Sequence, residues 1–468
     1  MSFGKNYSKQ AFWLSIVVIA ILLCMLFIPR LDFFGIRSRR VDILSDVLPK
    51  DSLGNPIAEL FLDSLQGGFS SDNGIISDIE VMRPDYKDSI PAGLVVVEDF
   101  ADSTGQHREM DKFYRSLDSS SDRQVRIAFF GDSYIEGDIL TSSLRDLLQS
   151  KYGGRGVGWV EVSCISETFR TTVHNTNSGW SKHYATDKEG YNPSSAGLAG
   201  SYFIPSPTGR LTLRCQNSTY ADHLSYVDEI SIFADMSPSL HLSTRVNDSI
   251  TNSYVGEGLI GLERFTQSGE ISKVELTASG SGKVYGISMD GHTGICLDNY
   301  SMRGRSGNYL SELSSGMLER ISEVRNYDLI IFEYGLNIAS KKVHKYDTFV
   351  KNFTPIISRM QKYFPNSSIL VLGCSDRGER SPGGGFRTMS GIKELISYQR
   401  KMCHDRGIAF WDMREAIGGD GAMNYMSKEK MSAKDMTHIN YKGGSYIAGK
   451  LFSALENGKM NYDRRRLR

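Results

Sequence analysis

Residues 125–133 read VRIAFFGDS. The first six are apolar apart from Arg126, the pattern of a strand buried on both faces. The run stops at Gly131-Asp132-Ser133. Beyond it, Leu140, Leu144, Leu147 and Leu148 recur near a 3.6-residue period, and Gly153-Gly154 punctuates the end of the helix they imply. A strand, a tight turn and a helix open an α/β sheet, whose sites gather at the carboxyl ends of its strands. A serine in that turn has its hydroxyl exposed. A helix beginning there would aim its N–H and positive dipole end at a developing oxyanion. Taken alone, the tripeptide more often means that Asp132 or Ser133 caps the helix.

The same alternation returns downstream. Strands are expected at 329–334 (LIIFEY), 369–374 (ILVLGC) and 408–413, and helices at 349–364, 392–406 (closed by Gly407) and 441–455. Between 164 and 290 helical periodicity fades. Short strands are expected at 210–215, 229–235, 239–246, 273–278 and 283–289, separated by turn residues, which predicts a β-sandwich. The chain therefore reads as one parallel α/β domain, 121–163 with 291–468, interrupted by an inserted β domain at 164–290.

Ahead of it, residues 41–120 are rich in Ser, Asp and Gly and read as a stalk that becomes ordered near its end, with a short helix at 110–117. Residues 11–29 (AFWLSIVVIAILLCMLFIP) carry no charge and no small-residue cleavage site follows. That length suits an uncleaved membrane-spanning helix within a 1–40 anchor. Lys5 and Lys9 precede it, while Arg30, Arg37, Arg39 and Arg40 follow, so the positive-inside rule alone would leave the bulk in the cytoplasm.

Lys plus Arg number 54 and Asp plus Glu 54, so no global basic field draws in nucleic acid. The terminal run Arg464-Arg465-Arg466 reads as a solvated end. Six cysteines include no CxxC pair, and nine histidines show no metal-ligand spacing, so no disulfide is implied and no metal is expected.

Three further stretches carry chemistry. Asp435-Met-Thr-His438 precedes the last helix, and a serine nucleophile needs a base that is itself held by an orienting group. Asn337, in Tyr334-Gly-Leu-Asn337, follows the strand LIIFEY and can offer an amide N–H. Gly304 lies in the turn-like stretch YSMRGRSG and can offer a backbone N–H. Each alone is as readily an ordinary turn.

Taken in order, Gly-Asp-Ser133, Gly304, Gly-x-Asn337 and Asp435-x-x-His438 resemble the four blocks of the SGNH (GDSL-like) hydrolases. The resemblance covers residues 125–163 and 291–455. It implies a flavodoxin-like three-layer sandwich, Ser133 as nucleophile, His438 as general base and Asp435 as its orienter. The Ser133 N–H, Gly304 N–H and Asn337 amide would form the oxyanion hole, and no cofactor is implied. Tyr134 stands where the family name expects Leu, and Ile338 where Asp is frequent. The longer run from Gly131 through Gly137-Asp138 to Gly156-Val-Gly-Trp159 is similar to bacterial peptidoglycan O-acetylesterases, in which a carbohydrate-binding-module-like β-sandwich interrupts the catalytic domain. That likeness implies an acetylesterase acting on an acetylated envelope glycan, held in the inner membrane with its bulk in the periplasm. The same triad would equally serve an O-acetyltransferase supplied by a membrane acetyl-transfer partner, and a chain with a decayed site would be a glycan-binding scaffold.

Overall fold

The computed structural model describes residues 88–467 except 101–107, 188, 217–218, 236–238, 256–260 and 383. Two short strands, Asp32–Phe33 and Ile36–Arg37, pair antiparallel in a separate N-terminal unit. The apolar segment 11–29 lies outside the described residues. Among the described residues no helix is long and apolar enough to cross a membrane.

Five strands build the α/β sheet: β1 (Gln124–Gly131), β2 (Gly294–Ser301), β3 (Leu329–Glu333), β4 (Ser368–Leu372) and β5 (Ala409–Trp411). Their order is β2-β1-β3-β4-β5 and all neighbours are parallel. This is the flavodoxin-like order, in which the strand sequence reverses between β1 and β3 and opens a crevice there. β3 and β4 are buried at every position because helices cover both faces of the sheet. The helices are α1 (Thr141–Tyr152), α2 (Ser315–Val324), α3 (Asp347–Tyr363), α4 (Ile392–Arg406) and α5 (Tyr441–Arg466). α1 packs on α5, while α2, α3 and α4 pack in series, which gives the expected three layers.

The insertion leaves the sheet after α1 and returns at β2. Its strands join into one nine-stranded antiparallel sheet rather than two separate ones. Ser201–Cys215 is the reason. Its start pairs with Lys283–Asp290 and the rest with Lys273–Ser279, so hydrogen bonding runs on without a break. Residues from distant strands, such as Ile232 and Leu242, share one buried cluster, so the sheet curls over its own core. Sequence missed Val173–Tyr184 and Leu262–Ile271, whose exposed polar stretches hide any hydrophobic alternation. Gly158–Val160 also pairs into this sheet, against Lys283–Asp290. Trp159 is buried between Phe233 and Tyr300, a core position.

The N-terminal stretch is ordered near its end, with the expected short helix at Asp111–Leu117, and one C-terminal reading changes. The described part of the 41–120 stretch packs on the α/β body: Glu98 bridges to Phe410, and the Ser89 carbonyl accepts amides from Asn457 and Asn461. The last helix runs on to Arg466 instead of ending near 455, and the arginine run is not a loose end. Arg465 pairs with Asp88 and Asp111, and Arg466 with Asp118.

A buried ionic cluster joins the insertion to the sheet. The Arg325 guanidinium donates to Asp290 at 2.9 Å and to Asp298 at 2.5 Å, with all three side chains essentially inaccessible. Asp298 also accepts from the Tyr327 hydroxyl (2.7 Å) and the Trp159 N–H (2.8 Å). A second such knot surrounds Asp138. Burial works against its charge, but Arg145, Arg170, Thr172 and Asn299 together hold the carboxyl far below the usual range. Asp138 thus ties α1 and β2 to the first segment of the insertion.

Candidate active site

Ser133 sits just past β1, in the crevice at the strand-order reversal. The turn differs from the expectation in one respect. α1 begins only at Thr141, after a single tight turn at Glu136–Asp138. Ser133 is therefore not at the N-terminus of an α-helix, and the dipole argument lapses. Asp132 shapes the turn instead, its carboxylate accepting the Tyr134 N–H at 3.1 Å. Gly131 leaves the room: a Cβ there would stand 3.0 Å from both Glu333 Oε2 and Ile135.

The Asp435–His438 loop is held from three sides. His438 O accepts from the Ala433 N–H at 2.7 Å, Met436 O accepts from the Gly378 N–H at 2.8 Å, and Thr437 O accepts from the Tyr134 hydroxyl at 3.0 Å. Tyr134, the departure from the family pattern, thus pins the serine turn to the histidine loop. His438 Nδ1 lies 2.6 Å from Asp435 Oδ2, and its N–H reaches Oδ1 at 3.0 Å. Partial burial opposes the Asp435 charge, but those bonds and the Thr437 N–H outweigh it and hold the carboxyl below its ordinary value. With Nδ1 so engaged, Nε2 is the ring nitrogen left to act as base. The stretch 376–387 forms the hairpin Gly378–Arg380 with Phe386–Thr388, docked through Gly378 on Met436 and through the Arg377 guanidinium on Leu336 O.

Asn337 lies just past β3, on the other side of the crevice. Its amide donates to Asp132 Oδ2 at 2.8 Å and to Arg305 O at 3.0 Å. The Gly304 turn is itself tied to β1 by the Met302 N–H on Gly131 O, 2.9 Å. All four blocks are thereby brought together. Both Asn337 hydrogens are already in use, so donation to an oxyanion requires one to be released. The Gly304 turn is uncrowded on its Cβ side: its φ is +73° and nothing lies within 4 Å of where a Cβ would be.

Sequence reasoning passed over Glu333. It ends β3, is 1% exposed, and its carboxyl meets the Asp132 N–H at 3.3 Å. Burial pushes both carboxyls up, and two side by side in a dry site do not both ionise. The pair therefore holds one proton between its two carboxyls, while Asp132 Oδ2 accepts from and orients the Asn337 amide. The available signal was one acid in an otherwise apolar strand. Because the folded pKa of Glu333 lies above its unfolded value of about 4.3, stability falls as pH rises between those two values, by up to about 1.4 kcal/mol per pH unit. Glu333→Gln keeps a donor but has no proton to lose. Urea midpoints should show the variant gaining on the wild type as pH rises above the unfolded value of about 4.3. Parallel pH dependences would mean that Glu333 is already ionised in the folded chain.

Among the described residues no group of three or more His, Cys, Asp or Glu side chains is arranged to hold a metal ion. The five described cysteines are all unpaired.

The parallel sheet in flavodoxin-like order, flanked by helices on both faces, is the three-layer fold that the motif order implies, and the four blocks meet at the crevice of its strand reversal. A solved structure described as a peptidoglycan O-acetylesterase has this fold. It aligns with a TM-score of 0.64 at 21% identity, over 78% of this chain and 99% of that one. Two others superpose far less well: a family two carbohydrate esterase from Cellvibrio japonicus (TM-score 0.26, 8% identity, 62% of this chain and 99% of that one) and a putative GDSL-like lipase from Parabacteroides merdae (TM-score 0.27, 12% identity, 35% and 74%). No family model matches the sequence, and no curated protein does.

Proposed function

We propose that the chain is a serine esterase that removes O-acetyl groups from a cell-envelope polysaccharide such as peptidoglycan, anchored in the inner membrane by residues 11–29 with its bulk in the periplasm. One observation carries the reading. The serine turn, the Asp435–His438 pair and the Asn337 amide converge on one crevice through direct hydrogen bonds. The likeness to a peptidoglycan O-acetylesterase structure over 78% of this chain supports this substrate class, and the uncharged segment 11–29 supports the anchor.

In this mechanism His438 Nε2 takes the Ser133 proton as Oγ attacks the acetyl carbonyl. The tetrahedral oxyanion is held by the N–H groups of Ser133 and Gly304 and by the Asn337 amide, once that amide has let go of Arg305 O. Collapse breaks the ester bond, and His438 returns the proton to the departing sugar oxygen. Water, deprotonated by His438, then attacks acetyl-Ser133 and releases acetate. Asp435 holds the ring and stabilises its charged form throughout.

The test is acetate release by the full-length protein from O-acetylated peptidoglycan and from a small acetyl ester, with Ser133→Ala as control. Release from both that vanishes in the variant is expected. A folded wild type that releases acetate from neither would sink hydrolysis. Transfer of acetyl to an added sugar acceptor would then be the reaction to seek.

A further inference from the structure

A cleft of about 190 Å³ opens between the inserted β domain and the α/β body. Its inner wall is Glu136, three residues beyond Ser133, with Met302 and Arg303, which lead into the Gly304 turn. Its outer wall is Glu161, Ile165, Tyr184 and Asp187 from the insertion. The cleft therefore begins where the oxyanion turn ends. The two walls are tied together beside it by the Arg305 guanidinium, which donates to Ala185 O at 3.1 Å.

The lining says what fits. Drug-sized ligands need roughly 300 Å³ or more, whereas a single sugar ring is compact enough for this space. Three carboxyl groups face it. The Arg303 guanidinium is already taken by Glu136 at 2.8 Å, so an anion would meet net repulsion. The Tyr184 hydroxyl is committed to Ser163 O at 3.1 Å, which leaves its ring as the contact surface. Ile165 is 72% exposed at the rim. The cleft thus offers carboxyl groups, the hydroxyls of Ser166, Thr186 and Ser301, and apolar surface, the complement of a ring with C–H faces and a rim of hydroxyls that both donate and accept. Burial pushes the Glu161 carboxyl up to about 7, so near neutral pH it both accepts and donates.

We propose that this cleft is a binding subsite for a neutral sugar ring adjacent to the acetylated residue, with the inserted β domain as one of its walls. The inference rests on the esterase reading for the identity of the glycan, but its test is separable from that reading.

Glu161→Gln and Ile165→Ala, combined in the full-length protein, should lower kcat/KM on acetylated glycan about tenfold or more, through KM, and leave a small acetyl ester within about twofold. Equal losses on both substrates would mean a structural role and overturn the subsite, as would no loss on either. A binding measurement separates the two readings. The Ser133→Ala protein should bind deacetylated glycan oligosaccharides in calorimetry, and adding the two cleft substitutions should abolish that binding. Binding that survives them, or a Ser133→Ala protein that binds no oligosaccharide, overturns the subsite. Binding that depends on Glu161 and Ile165, in a wild type that releases no acetate, upholds the subsite and defeats the esterase reading.

Discussion

Alanine at His438 is expected to cut acetyl-ester turnover by at least about a thousandfold while leaving the thermal midpoint where it is. The two halves of that expectation have separate causes. Serine and histidine act as a unit, so removing the base costs nearly as much as removing the nucleophile. The side chain does little for the fold. It is 43% exposed, it pairs with Asp435, itself 48% exposed, and exposed pairs of this kind contribute about 0–1 kcal/mol. The loop keeps its shape because its carbonyls accept from the Ala433 and Gly378 N–H groups and from the Tyr134 hydroxyl. Steady-state kinetics beside a melting curve would read both halves. Retained turnover would show that another group takes the serine proton, and a large fall in the midpoint would show that the loop depends on the ring.

The second large effect is on stability. Arg325→Met leaves Asp290 and Asp298 facing each other in a site with essentially no solvent access, and should cost about 3–5 kcal/mol. The loss is large because the partner charges stay buried, not because the ion pair is itself strongly favourable. The cluster spans the last strand of the insertion (Asp290), β2 (Asp298) and the residue after α2 (Arg325). Loosening of the insertion against the sheet should therefore accompany the loss. Denaturant unfolding gives the size, and hydrogen exchange in 283–298 gives the place. A cost below about 1 kcal/mol would mean that water or the nearby Arg126 and Arg264 compensate the carboxylates.

How much of this was legible in the sequence depends on where the signal lay. VRIAFF, LIIFEY and ILVLGC declared themselves because a strand covered on both faces must be apolar throughout, and Gly407 marked the end of α4 in the left-handed conformation at φ +61°. Leu140 to Leu148 gave α1, but nothing in residues 134–140 announced that the helix waits until Thr141. That delay is set by Asp138, a non-glycine residue at φ +64°, whose buried carboxylate gathers partners from as far away as Asn299. The insertion was less readable. Val173–Tyr184 alternates only weakly because Val173 and Trp180 alone are buried along it, and the single continuous sheet depends on the length of Ser201–Cys215, which its composition does not advertise. The reach of α5 to Arg466 rests on acids more than three hundred residues earlier, Asp88, Asp111 and Asp118.

The four site blocks were legible as an order of motifs, since the chemistry fixes the residue types. Their supports were not. Glu333 is an ordinary letter in a strand until Asp132 lies against it, and Tyr134 reads as a departure from pattern until its hydroxyl meets Thr437 O. The commitment of both Asn337 hydrogens is likewise a matter of geometry alone.

The most direct measurement is rapid quenching of the full-length protein during turnover of a small acetyl ester, followed by mass spectrometry of its peptides. The account predicts one acetyl group, on Ser133, appearing before steady-state acetate release and absent from Ser133→Ala. Acetate released with no acetyl on Ser133 at any time, or with the acetyl group on another side chain, would contradict it.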